Sequence, residues 1–348
     1  MNTKRGFLAA LLMLTNALAL AAPGPVRVAV APQGPRLAPG ADVVVTVTMT
    51  NTAAATQYVL AWQTPFGATI EAPLFEVLRD GVPVPYLGIQ AKRRPPTASD
   101  YVALAPGASR SASVALSALY DMRAPGTYSV RWRAGAARLY SRPGVPQARL
   151  LAEPEAPAAI RVEGAPAPAP EAPVPPAAAA GLAYSRCSAA QQGTIAEAVQ
   201  AATAMAQDGE AYMHRKSLAA RYTGWFGAVE AARAHTVAQH FVAIRDGFQG
   251  KPVTVDCGCN EDYYAYVYPN RPYTIYVCRA FWAAPMTGTD SKGGTLVHEM
   301  SHFTVVAGTD DWAYGQSAAA ALAAEDPARA IDNADSHEYF GENEPRRE

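Results

Sequence analysis

The chain has 348 residues, half of them apolar and 17% charged. That is long enough for two packed domains and too apolar for a disordered polymer. The formal net charge of −1 excludes a strongly basic nucleic-acid binder. The charge divides unevenly: residues 1–180 hold 16 Lys and Arg against 10 Asp and Glu, and residues 181–348 hold 13 against 20. Opposite signs favour docking of one half on the other.

Residues 1–21 have the three parts of a secretory signal peptide. Lys4 and Arg5 form the basic start, Phe7 to Leu20 the apolar run, and Ala19-Leu20-Ala21 the small-x-small cleavage site. No later run of about 18 apolar residues is present to span a bilayer. The expected product is secreted, without membrane attachment once the signal is removed.

Residues 22–150 read as all-β. "DVVVTVTMTN" alternates, and "QYVLAWQTP", "PLFEVLRDGVPVPYLG", "SRSASVALS" and "GTYSVRWRA" follow, with Asp-Gly and Pro-Gly punctuation. Short strands at this spacing predict an antiparallel sandwich of immunoglobulin-like type. "YLGIQAKRRPPTASDYVAL" reads as a Pro-rich loop and holds Lys92, the one lysine of this region. Residues 151–183 are rich in Pro and Ala, which predicts an extended linker exposed to proteolytic processing.

From residue 184 the pattern is α+β and mostly helical. "AAQQGTIAEAVQAATAMAQ" and "AVEAARAHTVAQHFVAIRDGF" place apolar residues at helical spacing. "KPVTVDCGC" and "YYAYVYPNRPYTIYVC" read as strands, the second as a hairpin turning at Pro269 to Pro272. Helix follows from about Ser291 to the end. The four cysteines, Cys187, Cys257, Cys259 and Cys278, all lie here. Export places them in an oxidising space, and the C-x-x-C pairs of a zinc ribbon are absent, so disulfides are expected.

The stretch "TLVHEMSHFTVV" has helical character and carries His298-Glu299-x-x-His302. On a helix, positions four apart share a face, so two imidazoles can aim at one ion with Glu299 beside a bound water. A catalytic zinc takes three protein ligands, and this pentapeptide supplies two. Continuation as H-x-x-G-x-x-H fails, because Val305 and Gly308 stand at the Gly and His positions. Glu325, one helix downstream, and Asp310 or Asp311, behind a turn at Gly308, remain as candidates by spacing.

H-E-x-x-H followed by G-T-x-D-x-x-Y-G resembles the aspzincins, the deuterolysin and peptidyl-Lys metalloendopeptidase family. Here the second motif reads Gly308-Thr309-Asp310-Asp311-Trp312-Ala313-Tyr314-Gly315. The resemblance covers roughly residues 184–340 and implies a zincin-like metalloprotease domain over 184–348, with one zinc. It makes Asp311 the third zinc ligand beside His298 and His302, Glu299 the general base and Tyr314 the oxyanion donor. It implies the disulfides Cys187–Cys257 and Cys259–Cys278. "NADSHEYF" resembles the acidic S1′ wall of the Lys-specific members, so Asp335 and Glu338 would bind a lysine at P1′. It also allows residues 22–150 to be an inhibitory prodomain, with Lys92 in the S1′ pocket as a substrate mimic. The partners expected are peptide or protein substrates and the chain's own prodomain, in a monomer. The other reading is a secreted immunoglobulin-like adhesin whose protease-like domain is catalytically silent.

Overall fold

The computed structural model describes residues 25–34, 36–38, 41–67, 69–133, 138–140, 149–150, 157–163 and 180–348. The signal peptide expected at 1–21 and most of the linker expected at 151–183 lie outside the described residues.

Strict alternation explains the N-terminal strands. Along Val44–Asn51 every second side chain is buried, among them Val45, Val47 and Met49. This strand pairs antiparallel with Val26–Pro32 on one side and Ser109–Ala115 on the other. In a second sheet, Gly126–Trp132 lies between Phe75–Arg79 and Ala158–Val162. Asp80 and Gly81, with φ of 49° and 85°, turn Phe75–Arg79 into Val82–Pro83, as a tight hairpin with two left-handed residues requires. A third sheet pairs Gln57–Leu60 with Tyr101–Leu104. Inward residues of all three, including Val28, Met49, Val59, Val77, Val130, Trp132 and Ile160, share one core.

Two expectations are corrected here. Ala158–Val162 falls in the stretch read as linker, but its alternate residues Ala158, Ile160 and Val162 are buried and it pairs with Gly126–Trp132. Gly181–Ser185, also begun within that stretch, is the first strand of the C-terminal sheet.

The C-terminal half holds eight helices: α1 (Ala189–Met213), α2 (Ala220–Phe226), α3 (Ala231–Gly250), α4 (Arg279–Ala283), α5 (Lys292–His302), α6 (Gln316–Glu325), α7 (Pro327–Ala330) and α8 (Ala334–Glu342). Its sheet runs Gly181–Ser185, Pro252–Asp256, Thr274–Val277, Ala265–Val267. The first three strands are parallel and the last closes an antiparallel hairpin. Disulfides Cys187–Cys257 and Cys259–Cys278 tie its loops. The fifth strand comes from the other half. Gln90–Lys92, read from sequence as loop, pairs antiparallel with Ala265–Val267. Each half encloses a core of its own: residues 180–348 supply every member of the clusters around Leu296 and Phe340.

Helix α5 lies at the centre of its half, with all of its residues buried. Ser291 caps it, accepting from Gly294 N at 2.9 Å, and Gly308, with φ of 62°, reverses the chain beyond it. Helix α1 crosses α5 closely because Gly293 has no side chain. A Cβ there would meet Ala201 Cβ at 2.9 Å, whereas one at Gly250 would meet nothing within 4 Å. Gly293→Ala is therefore expected to lower the calorimetric midpoint of this half by several degrees, despite alanine's better helix propensity. Gly250→Ala is expected to leave it unchanged or raise it; equal effects of the two would discard the close-packing argument.

Candidate active site

Helix periodicity puts His298 and His302 on one face of α5. Their Nε2 atoms approach each other at 3.1 Å. Asp311 Oδ1 lies 3.2 Å from the first and 3.5 Å from the second. The other ring nitrogens face polar neighbours. His302 Nδ1 is 2.7 Å from the Thr309 carbonyl, and His298 Nδ1 is 2.9 Å from Asp335 Oδ1 and 3.3 Å from Glu338 Oε2. An imidazole that gives its Nδ1 proton to an oxygen presents Nε2 as a lone pair. The two Nε2 atoms and a carboxylate oxygen converge in a dry site, and neither His298 Nδ1 nor Asp311 Oδ1 has a hydrogen-bond partner among the described residues. This donor set of two imidazoles and one carboxylate suits zinc. Burial alone would raise the Asp311 carboxyl, but facing His302 and His298 holds it far below the usual range.

The loop after α5 is fixed from both sides. Thr309 N donates to the Ser301 carbonyl, and the two hydroxyls meet at 2.6 Å. Asn333 Oδ1, just before α8, accepts from Trp312 N and Ala313 N, each at 3.0 Å. Asp335 Oδ2 accepts from Gly315 N at 2.6 Å. These bonds turn Asp311 inward and Asp310 outward, toward Gln90 and Arg133. Glu325, the other candidate ligand, is exposed at the end of α6 and stands apart from the cluster.

Glu299 is fully buried beside the histidines. Its Oε1 accepts from the backbone N of Lys92 at 3.2 Å. Burial pushes its carboxyl up to about 7, against the pull of His298 and His302. Tyr314 is buried too. Burial pushes its phenol upward, with the Asp311 carboxylate adding to the effect, and the Trp62 ring meets it edge-on at 5.9 Å.

The acidic residues of α8 line a closed pocket rather than a solvated helix face. Lys92 Nζ lies 2.6 Å from Glu338 Oε2, 3.6 Å from Asp335 Oδ1 and 3.1 Å from Asp290 Oδ1. The Lys92, Asp335 and Glu338 side chains are all 0% exposed. The rings of Tyr264 and Tyr339 face the ammonium at 5.1 and 5.6 Å. Burial opposes the Lys92 charge, but Asp335 and Glu338 outweigh it and hold the amine well above its usual pKa. Sequence reasoning missed Asp290, which sits just before the cap of α5 with a left-handed φ of 52° and accepts from the Tyr339 hydroxyl at 2.8 Å. Its position before a Ser-x-x-Gly helix start was the available signal. Glu342 lies one turn beyond Glu338 and takes Ser291 N and Oγ, both at 2.8 Å. Burial, then the Glu338 charge, raises its carboxyl to about 9. His337 leaves the pocket altogether. It packs on Phe241 with its Nε2 3.0 Å from His240 Nδ1, and burial lowers it to about 3.

Comparison with known proteins accords with this site. The aspzincin M35 family model, described as lysine-specific metallo-endopeptidase, matches residues 211–342. An "Extracellular protease" of Aeromonas hydrophila is 43% identical over 313 residues, covering 87% of this chain and 89% of that protein. A "Peptidyl-Lys metalloendopeptidase" of Pleurotus ostreatus is 47% identical over 161 residues, 46% of this chain but 95% of that protein. The solved zinc peptidase from Grifola frondosa is 47% identical, covers 47% of this chain and 100% of its own, and superposes with a TM-score of 0.45. The family description and the names of the Aeromonas and Pleurotus relatives describe proteases, which disfavours the reading as a silent binding module. The chain belongs to the aspzincin family and is a zinc metalloendopeptidase.

Proposed function

We propose that the chain is exported as a zymogen and, once freed of its N-terminal half, cuts peptide bonds on the N-terminal side of lysine. The observation that carries this reading is the seat of Lys92. A strand added to the sheet edge at Ala265–Val267 delivers a lysine into a pocket of three carboxylates and lays its backbone nitrogen on Glu299. Strand addition at an exposed edge is a general way of holding an extended peptide. With Lys92 as the P1′ residue, Ala91 would be P1 and the bond between them would lie at the reacting position.

His298, His302 and Asp311 would hold the zinc, which when bound supplies Lewis-acid polarisation and a water acidic enough to react near neutral pH. Glu299 takes the proton of the attacking water and delivers it to the departing amide nitrogen; the contact with Lys92 N at 3.2 Å supports this path. The Tyr314 phenol donates to the developing oxyanion. Asp335, Glu338 and Asp290 hold the lysine ammonium, a compact point charge suited to a closed pocket.

The N-terminal half, read as an immunoglobulin-like prodomain, would then inhibit by occupying the cleft with its single lysine. Arg93 reinforces the plug, pairing with Glu71 and lying over Trp62 at 5.0 Å and Tyr263 at 4.7 Å. Secretion is supported by the segment at 1–21 and by the extracellular relative.

Two experiments test the reading. Glu299→Gln should keep one zinc per chain by elemental analysis while losing at least about a hundredfold in hydrolysis; Asp311→Ala should lose the metal. Near-native turnover by Glu299→Gln would sink the assignment. For inhibition, the separate N-terminal half should block the catalytic half on a peptide cut before lysine. Removing one partner of a buried ion pair costs roughly 3–5 kcal/mol, so Lys92→Ala should raise the inhibition constant by about a hundredfold or more. Equal inhibition by the variant would discard the substrate-mimic role.

A further inference from the structure

The inserted strand fills more than the lysine pocket. Backbone alternation puts Gln90 on the same face as Lys92, with Ala91 turned the other way. Gln90 is 3% exposed. Its side-chain amide donates to Asp310 Oδ1 at 2.6 Å and to the Thr309 carbonyl at 3.3 Å. The second carboxylate oxygen of Asp310 accepts from the Arg133 guanidinium, which lies over the Trp312 ring at 4.2 Å and 4.0 Å from Asp332. An amide and a guanidinium, both from the N-terminal half, thus occupy the two oxygens of one carboxylate on the rim of the cleft. Both leave with that half.

We infer that Asp310 is the specificity determinant for the P2 residue, two positions before the lysine, and that it takes a long side chain bearing N–H donors, glutamine or arginine, while rejecting glutamate. The inference rests on the reading of Lys92 as P1′, which makes Gln90 the P2 residue of the inhibitory strand. The carboxylate is available for this role because, of the two adjacent aspartates, it is Asp311 that faces the histidine Nε2 atoms. The motif G-T-x-D leaves the Asp310 position open, so a side chain there can set preference while the ligand beside it stays fixed. The Gln90 contact shows the geometry of a neutral donor. The Arg133 contact shows that a planar cation also fits, with Trp312 as the stacking surface.

Peptides of the form Xaa-Ala-Lys, with Xaa glutamine, arginine, leucine or glutamate, test this on the catalytic half, which has its own core and whose counterpart is nearly the whole of the Pleurotus relative. The expected kcat/KM for cleavage before lysine is about five- to tenfold higher with glutamine or arginine than with leucine, as for an ordinary net hydrogen bond, and lowest with glutamate. Asp310→Ala should bring the glutamine-to-leucine ratio to within about twofold. Equal rates for glutamine, arginine and leucine on the unsubstituted enzyme overturn the inference, whatever the folding of the variant. So does an unchanged ratio in a zinc-replete Asp310→Ala. Failure to cut before lysine at all would overturn the P1′ reading instead. Calorimetric binding gives an activity-free check, with zinc-loaded Glu299→Gln catalytic half titrated by the N-terminal half. Gln90→Leu should weaken binding by about five- to tenfold, and that loss should vanish when the catalytic half carries Asp310→Ala. An undiminished loss counts against Asp310.

Discussion

A helix with three ionisable side chains buried at 0% exposure sets the terms for the rest of this half. His298, Glu299 and His302 cannot share a dry interior unless every polar atom finds a partner or an ion. The loop at Thr309 satisfies one imidazole from below. Asp335, on α8, faces the other. Asp311 completes the set from a loop pinned by Asn333. Helix α8 and the segment after α5 are therefore placed by the needs of α5, and the close crossing at Gly293 lets α1 seal the opposite side.

The same arrangement explains why the pocket and the histidines form one unit. Asp335 approaches both His298 Nδ1 and Lys92 Nζ, at 2.9 and 3.6 Å. The carboxylate that faces the outer nitrogen of this imidazole also lines the seat of the lysine. Three carboxylates around a single ammonium leave excess negative charge. Burial raises the Glu338 carboxyl against the lowering pull of Lys92. An unpaired set of this kind is costly, so an extended chain that brings a lysine gains both ladder hydrogen bonds and charge compensation.

Much of the architecture was legible from periodicity. Helices α1 and α3, the alternating strand at Val44–Asn51 and the hairpin at residues 265–277 follow from spacings of 3.6 and 2. His298, His302 and Asp311 are brought within reach of one ion, a juxtaposition that spacing alone did not single out from Glu325 and Asp310. What escaped was non-local. Gln90–Lys92 spans three residues ahead of a Pro-rich stretch, too short for any period, and its pairing partner lies far along the chain. Ala158–Val162 was hidden by the Pro and Ala around it, although its own alternation is regular. Asp290 has no spacing relation to Asp335 and Glu338; only the tertiary approach of the α5 start to α8 brings the three together.

The run Lys92-Arg93-Arg94 shows how the cleft picks one cation from three. Successive side chains of a strand face opposite ways, so a slip of one residue would turn Arg93 inward and remove Gln90 from its place. The register is held at both ends. Gln90 is bonded to Asp310 and Thr309, while Arg93 is stacked between Trp62 and Tyr263, and Arg94 pairs with Asp100. A guanidinium gains from flat aromatic surfaces and open, forked contacts. An ammonium gains from oxygens gathered around a point, which is what Glu338, Asp290 and Asp335 provide. Each cation of the run thus sits where its own geometry is matched, and the choice of lysine for the closed pocket follows from shape as much as from charge.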